Sequence, residues 1–222
     1  MIALDTFKRV EDKYIMTKKQ AVRFMELCGS HLKEDTYFRY TVRSVYFDSE
    51  RSDLVIRSLM KPDYKMKLRL RSYCDPQGDT PVFLETKKKF EDIIYKRRIG
   101  LSYDEAIAYL DYGIPHHVKN NTADEIDYLL NYYNLSEKVM IAYDRECYAS
   151  KTEDDVRITF DSNVRYRIDG FSMVLDGSEK RLTDEDTVVM EVKAMDRYPL
   201  WLTKTLSAMK LYRGSFSKYG KI

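Results

Sequence analysis

The sequence predicts an α+β fold in which strands curl into a β-barrel or tunnel and helices flank it. Three observations carry that reading. The stretch Lys65-Met66-Lys67-Leu68-Arg69-Leu70-Arg71-Ser72-Tyr73 alternates charged and apolar residues. A strand points successive side chains to opposite faces, so Lys67, Arg69 and Arg71 share one face and Met66, Leu68 and Leu70 the other. The alternation recurs in at least five more segments, mostly with a cationic polar face. Finally, stretches with helical apolar spacing lie between these segments. Several strands that each offer a basic face converge only on something strongly anionic, since like charges otherwise spread into solvent. The expected interior is polar, and the expected ligand is a chain of phosphates.

Composition bounds the alternatives. At 222 residues the chain is expected to form one domain over 1–222. Charged residues make up 33% and hydrophobic ones 44%, which is globular rather than disordered. A net charge of only +2 argues against a nucleic-acid binder and permits a local basic cavity balanced by acidic helices. Cys28, Cys74 and Cys147 lack paired or metal-like spacing, so reduced thiols and a cytoplasmic location are expected. The N-terminus has no apolar run of signal-peptide type, and no stretch approaches the roughly 18 apolar residues of a membrane span.

Taken in order, Phe7–Met16 reads as a strand with Arg9, Glu11 and Lys13 on one face. Thr17 caps a helix through Cys28, with Ala21, Val22, Phe24, Met25 and Leu27 as its apolar positions. Thr41–Asp48 is β-branched and aromatic, hence a strand. Ser52–Met60 reads as a short helix stopped by Pro62. Beyond the organising strand, a turn at Asp75–Asp79 leads to Val82–Lys89 and a hairpin partner, Ile93–Ile99. These place Glu85, Lys87 and Lys89 on one face, and Lys96 and Arg98 opposite Tyr95, Arg97 and Ile99.

Ser102 caps a helix over Tyr103–Tyr112, and Gly113 and Pro115 break it. Thr122 caps another over Ala123–Tyr133, with Ile126, Leu129 and Leu130 facing the core. Strands return at Val139–Tyr148, Val156–Asp161 and Val188–Lys193. Arg165 and Arg167 extend the face of Arg157, Thr159 and Asp161. A terminal helix runs from Pro199 to about Met209, with Leu200, Trp201, Leu202 and Leu206 packing inside or on the barrel rim.

The co-facial cations are Lys13, Lys67, Arg69, Arg71, Lys87, Lys96, Arg98, Arg145, Arg157 and Lys193, against Glu11, Glu85, Asp161 and Glu191. In one cavity they repel strongly unless a polyanion such as triphosphate, ATP or polyphosphate neutralises them. Arginine donates a planar fork to phosphate and lysine a point charge. The carboxylates suit Mg2+ or Mn2+, which take oxygen ligands and are often shared with phosphates. For any one strand a solvated charged face is explanation enough, and it is the joint pattern that shifts the reading. His31, His116 and His117 read as surface residues, and the tyrosines as packing. There is no Gly-rich phosphate loop with Lys-Ser/Thr, no Gly-x-Ser-x-Gly elbow and no His-Glu-x-x-His pair.

In order, Glu11-x-Lys13, Lys67-x-Arg69-x-Arg71, Leu84-Glu85-Thr86-Lys87, Lys96-Arg97-Arg98, Tyr143-Asp144-Arg145, Arg157-x-Thr159-x-Asp161, Glu191-Val192-Lys193 and Ser217-Lys218-Tyr219 resemble the VTC domain. That is the catalytic domain of the vacuolar transporter chaperone complex and its bacterial relatives, within the triphosphate tunnel metalloenzymes. The resemblance implies an eight-stranded antiparallel tunnel and a polyphosphate polymerase that moves the γ-phosphate of ATP onto a growing chain with Mn2+ or Mg2+. It also implies that Arg69, Arg71, Lys87, Arg145, Lys193 and Lys218 act on the transferred phosphate. Lys13, Lys67, Lys96, Arg98 and Arg157 would hold the phosphates of ATP or polyphosphate. Glu191 would be the principal metal ligand and Glu11 a weaker one.

The wider superfamily shows Glu-x-Glu-x-Lys on the first strand. Here its first position is Arg9, which fits the VTC branch and implies one tightly held metal. Eukaryotic members sit in membrane complexes with a phosphate-sensing domain, which leaves recruitment by a membrane partner open for this chain. Two alternatives accompany the polymerase: an inorganic triphosphatase of the same fold, and a non-catalytic module that binds polyphosphate or nucleotide. On the polymerase reading, Arg69→Ala or Lys193→Ala abolishes activity and leaves the melting temperature level or higher, since each removes a repelling charge.

Overall fold

The computed structural model describes residues 9–60, 63–91, 93–169 and 172–222. The expectations placed on Phe7, Lys8, Pro62 and the Arg9 side chain fall outside them. The observed elements are β1 (Arg9–Thr17), α1 (Lys18–Cys28), β2 (Leu32–Asp48), α2 (Asp53–Leu59), β3 (Tyr64–Ser72), β4 (Pro81–Phe90) and β5 (Ile93–Ser102). They continue with α3 (Tyr103–Tyr112), α4 (Asn121–Tyr132), β6 (Ser136–Ser150), β7 (Arg157–Arg167), β8 (Lys180–Arg181), β9 (Thr187–Met195) and α5 (Leu200–Ala208).

The strands pair in the order β1-β9-β7-β6-β2-β3-β4-β5, and β8 adds to β7. The ladders β1–β9, β2–β3, β3–β4, β4–β5, β7–β8 and β7–β9 are antiparallel. The α+β class and the antiparallel sheet with flanking helices are as expected. One detail differs: among the described residues no ladder joins β1 to β5. On β5, the outermost strand at one end of the order, Ile93–Arg98 is exposed throughout. Among the described residues no helix is long and apolar enough to cross a membrane. The three cysteines are free.

The chain divides into two compact units, to which β2, β6 and β7 each contribute residues. One unit takes the residues up to Tyr40, Tyr143–Val164 and Thr183–Phe216. Its core joins Tyr14 and Met16 of β1, Ile158 and Phe160 of β7, and Val188, Met190 and Val192 of β9 to Phe24, Cys28, Leu202 and Leu206 of the helices. These strand residues have one parity, which leaves Glu11 and Lys13, Arg157 and Thr159, and Glu191 and Lys193 on the opposite face. Thr17 closes α1 with a reciprocal capping box to Gln20. Val22 and Leu27, apolar positions of that helix, are exposed, as is Leu200 on α5. The buried stripe of α1 is Phe24 and Cys28, four residues apart, and Val22 and Leu27 lie off it. Trp201 is half-buried and stacks on His31 at 4.9 Å.

The other unit takes Thr41–Ala142, Arg165–Leu182 and Ser217–Ile222. Val45 and Phe47, Leu68 and Leu70, Val82 and Leu84, and Ile99 and Leu101 form its core against Ala106 of α3 and Ala123 and Ile126 of α4. Ser102 caps α3 by accepting from Glu105 N, and Gly113 ends it with φ 66°. The cap of α4 is Asn120, not Thr122: its side chain accepts from the amides of Thr122 and Ala123. His116 is also not at the surface. It is 4% exposed, edge-on to Tyr109 at 4.7 Å, with Asp127 3.7 Å from Nε2. On the core face, Lys88 and Arg97 reach Glu125 of α4, Arg97 at 2.7 Å.

Candidate functional site

The polar face of β2, β3, β4 and β5 is built in rows by strand register. Lys67 lies opposite Lys87, and Lys87 opposite Lys96. In the next row Tyr46 lies opposite Arg69, Arg69 opposite Glu85, and Glu85 opposite Arg98. Beyond that, Ser44 lies opposite Arg71. The hairpin turns that set this register thus bring six of the predicted cations onto one face. Lys96 and Arg98 share the face of Glu85 and Lys87, as their parity predicted.

Glu85 is the anionic centre of this face at 1% exposure. Arg69 donates to its Oε2 from Nε at 3.0 Å and Nη2 at 2.8 Å. Lys96 lies 3.3 Å from Oε1, and Arg71 and Arg98 are each at 4.0 Å. Burial pushes the Glu85 carboxyl up, but Arg69, Arg71 and Lys96 outweigh it and hold the group below its ordinary value. Glu85 therefore acts as a counter-ion. In the neighbouring lysine row, like charges stand directly opposite one another.

The C-terminal segment is tied to the same face. Lys67 Nζ donates to Ser217 Oγ at 3.2 Å, and Tyr219 donates to Asp48 at 2.9 Å while its ring packs on Tyr46 at 5.2 Å. Asp48 also accepts from the amides of Ser49, Leu54 and Val55. Lys218, between these anchors, is half-buried.

In the first unit, β9 carries the second group. Glu191 stands opposite Lys13 of β1 on one side and Thr159 of β7 on the other, and Lys193 stands opposite Glu11 and Arg157. The Glu191 carboxylate pairs with Lys193 and lies 3.9 Å from Lys13 Nζ, which also donates to Phe216 O at 3.1 Å. Burial pushes Glu191 up, but Lys193, Lys13 and Arg145 hold it down at about 2, so it is ionised at neutral pH. Arg145 donates to both oxygens of buried Asp161, at 2.6 and 2.8 Å. Arg157 is more peripheral, 58% exposed at its side chain and 3.8 Å from Asp35.

Among the described residues no group of three His, Cys, Asp or Glu side chains is placed to enclose a metal ion. The donor set still fits Mg2+ or Mn2+ shared with a substrate, because such ions commonly use one or two carboxylates and keep several waters. Glu191 is an ionised carboxylate, and Glu11 lies diagonal to it on the same face. Opposite Glu191, the Thr159 hydroxyl is buried and, among the described residues, lacks a hydrogen-bond partner. Such an orphan group is costly unless a ligand satisfies it.

The predicted site residues thus fall into two groups. Lys67, Arg69, Arg71, Lys87, Lys96, Arg98 and Lys218 belong to the second unit; Glu11, Lys13, Arg145, Arg157, Glu191 and Lys193 belong to the first. Tyr46, Ser44 and the orphan Thr159 hydroxyl were missed as site groups. For Tyr46 and Ser44 a signal existed: both alternate with Val45 and Phe47 and so share the polar face of β2.

A family model described as the VTC domain matches residues 8–221. No curated protein matches the chain. Among solved structures, a candidate adenylate cyclase from Bacillus halodurans is similar with a TM-score of 0.57 at 12% identity, over 95% of each chain. A Hippeastrum protein, described as a candidate adenylyl cyclase with a dominant triphosphatase activity, has a TM-score of 0.53 at 11% identity, over 95% of this chain and 93% of its own. At such identities these likenesses speak for the fold.

Proposed function

The chain belongs to the VTC domain family, and on that premise we propose that it is a metal-dependent enzyme transferring the γ-phosphate of ATP to a growing inorganic polyphosphate chain. The observation that carries this reading is the row Lys67–Lys87–Lys96, three lysines in direct register across β3, β4 and β5. Like charges directly opposite one another across strands are unfavourable. A polyanion with evenly spaced charges turns that repulsion into attraction.

Phosphoryl transfer asks the protein mainly for positioning and charge stabilisation. Arg69 and Arg71 would hold non-bridging phosphate oxygens, and Lys67, Lys87 and Lys96 would neutralise successive phosphates. Lys218 would add a charge from the anchored C-terminal segment. Arg145, oriented by both oxygens of Asp161, would present the rest of its fork to phosphate, with Lys13, Lys193 and Arg157 beside it. Glu191, with Glu11, would hold Mg2+ or Mn2+, and the Thr159 hydroxyl stands opposite Glu191. The ion, when bound, would offset charge on the transferred phosphoryl group. A terminal phosphate as acceptor is already anionic near neutral pH, so no general base is required of these residues.

An inorganic triphosphatase of the same fold is the second reading; the similar Hippeastrum protein is described as having a dominant triphosphatase activity. Incubation with ATP and Mn2+, followed by polyphosphate-stained gels and phosphate assay, separates the two. Nuclease-resistant polymer is the expected product. Phosphate release from triphosphate without polymer would replace the polymerase by the triphosphatase. Neither product, with polyphosphate still bound tightly, would reduce the protein to a binding module.

A further inference from the structure

Four buried or half-buried tyrosines give their hydroxyl proton to a carboxylate: Tyr198 to Asp12 at 2.6 Å, Tyr219 to Asp48 at 2.9 Å, Tyr148 to Glu146 at 3.4 Å, and Tyr109 to Asp127. Tyr46 is built the other way. It is 7% exposed, and its oxygen accepts a hydrogen bond from Arg69 Nη1 at 3.2 Å. Among the described residues no carboxylate or carbonyl accepts its own proton. Arg69 stands directly opposite it, and Lys67 and Arg71 flank Arg69 on the same face.

The anions nearby are already committed. Asp48, two residues along the strand, takes three amides and the Tyr219 hydroxyl. Glu85 takes the remaining two nitrogens of Arg69 and serves Lys96 as well. All three guanidinium nitrogens of Arg69 are therefore occupied, two by Glu85 and one by Tyr46. A phosphate that engages Arg69 must displace or share one of these partners. The phenol oxygen is the weaker one, held by a single bond.

We propose that Tyr46 is a protonatable counter-anion built into this basic face, so that an inorganic oligophosphate binding to Lys67, Arg69 and Arg71 does so with uptake of a proton at the Tyr46 oxygen. The inference rests on the phosphate-binding reading of this face and adds its proton linkage. In the empty protein the phenolate offsets part of the charge of Arg69, Arg71 and Lys67. An arriving oligophosphate brings its own anionic oxygens beside that phenolate, and like charges at such range disfavour one another. The phenolate takes one proton from solvent, becoming Tyr46 O–H, and no other bond is made or broken. The neutral hydroxyl can then donate to a phosphate oxygen.

The charged and titratable groups around it act in known senses. Burial pushes the Tyr46 phenol up; Arg69, then Arg71 and Lys67, outweigh burial and bring it down to about 7. Lys87 and Lys96 lie in the adjoining row, with Glu85 on the far side of Arg69. Lys218 adjoins Tyr219, whose own phenol is held above its ordinary value by burial and by Asp48.

The test uses the full chain, tripolyphosphate as the probe, no metal, and absorbance at 295 nm, where tyrosinate absorbs and tyrosine does not. At pH 8 the wild type should carry close to one tyrosinate and lose it as tripolyphosphate saturates, whereas Tyr46→Phe should show neither signal. Proton linkage at one group titrating near 7 should also weaken tripolyphosphate binding roughly tenfold between pH 6 and pH 8, a slope that Tyr46→Phe removes. If tripolyphosphate binds and the absorbance does not move, the proposal is overturned while the phosphate-binding reading stands. If calorimetry finds no binding at either pH, both fall. Should Tyr46→Phe fail to fold, the wild-type absorbance titration decides alone.

Discussion

Glu85 lies opposite Arg69 in the β3–β4 register and takes two of its nitrogens on one oxygen, Nε at 3.0 Å and Nη2 at 2.8 Å. This corrects the expectation that removing Arg69 relieves repulsion and leaves the melting temperature level or higher. Arg69 is the principal partner of a carboxylate at 1% exposure. Losing one member of a buried pair leaves the other uncompensated, at a cost of about 3–5 kcal/mol. Arg69→Ala should cost less, about 1–3 kcal/mol, because Arg71, Lys96 and Arg98 still serve Glu85. Glu85→Gln should cost more, toward the full amount, since buried Arg69 and Arg71 lose their carboxylate while half-exposed Lys96 and Arg98 stay solvated. Urea unfolding at pH 7 checks both, and tripolyphosphate should restore part of the Glu85→Gln loss. A Glu85→Gln protein as stable as wild type would remove the counter-ion account. Lys193 is corrected likewise, being paired with Glu191.

Arg145 and Asp161 are the matching pair in the other unit. Two hydrogen bonds join them, and their side chains are 12% and 1% exposed. Arg145→Lys keeps the charge and loses the planar fork, so binding of tripolyphosphate should weaken about tenfold with little change in fold. Asp161→Asn should instead lower stability by about 2–4 kcal/mol, since the guanidinium keeps only a neutral acceptor. Circular dichroism melts and calorimetric titration separate the two outcomes. Equal stability loss in both variants would mean that Arg145 is purely structural.

Parity alone makes the polar and apolar faces legible in the sequence. Met66, Leu68 and Leu70 are buried, and Lys67 and Arg69 lie on the other face. Caps were nearly as legible: Ser102 was read to the residue, because serine before an acidic first turn satisfies free amides. Where two cap residues compete, as Asn120 and Thr122 do, the tertiary path of the loop decides. Partnership was not legible. That Arg69 pairs with Glu85 depends on strand register, which the hairpin turns set. The burial of His116 likewise arises from how the α3–α4 connection packs over Tyr109, which no local pattern encodes.

Tyr219 joins the C-terminal segment to Asp48, which accepts from the amides of Leu54 and Val55 in the first turn of α2. Its hydroxyl donates to Asp48 at 2.9 Å, and Ser217 in the same segment accepts from Lys67. Tyr219→Phe removes one donor from a buried carboxylate that keeps three amide donors. The expected cost is about 1–2 kcal/mol. Ending the chain after Phe216 should cost more and should also weaken tripolyphosphate binding, since Lys218 leaves with the segment. If truncation lowers stability and leaves tripolyphosphate affinity intact, Lys218 takes no part in binding.

The pH dependence of stability should carry a signature from Glu137, far in character from the basic face. Glu137 lines a cavity of about 460 Å³ with Asp104, Asp111, Tyr103 and Tyr112. Burial, and then the charge of Asp111, push its carboxyl up to about 7. A carboxyl whose folded pKa lies above its unfolded one binds more protons in the native state. Its contribution is therefore fully present below about 4.5, declines as pH rises toward 7, and is lost above that value. Discounted for solvent screening, the loss by pH 8 should be roughly 1–2 kcal/mol. Glu137→Gln cannot ionise, so it should exceed the wild type by that amount at pH 8 and match it near pH 4.5, as read by urea unfolding. Asp111→Asn should recover a smaller part, since it removes only the second cause. A Glu137→Gln difference that is the same at both pH values would show that packing of the amide, not ionisation of the acid, sets the effect.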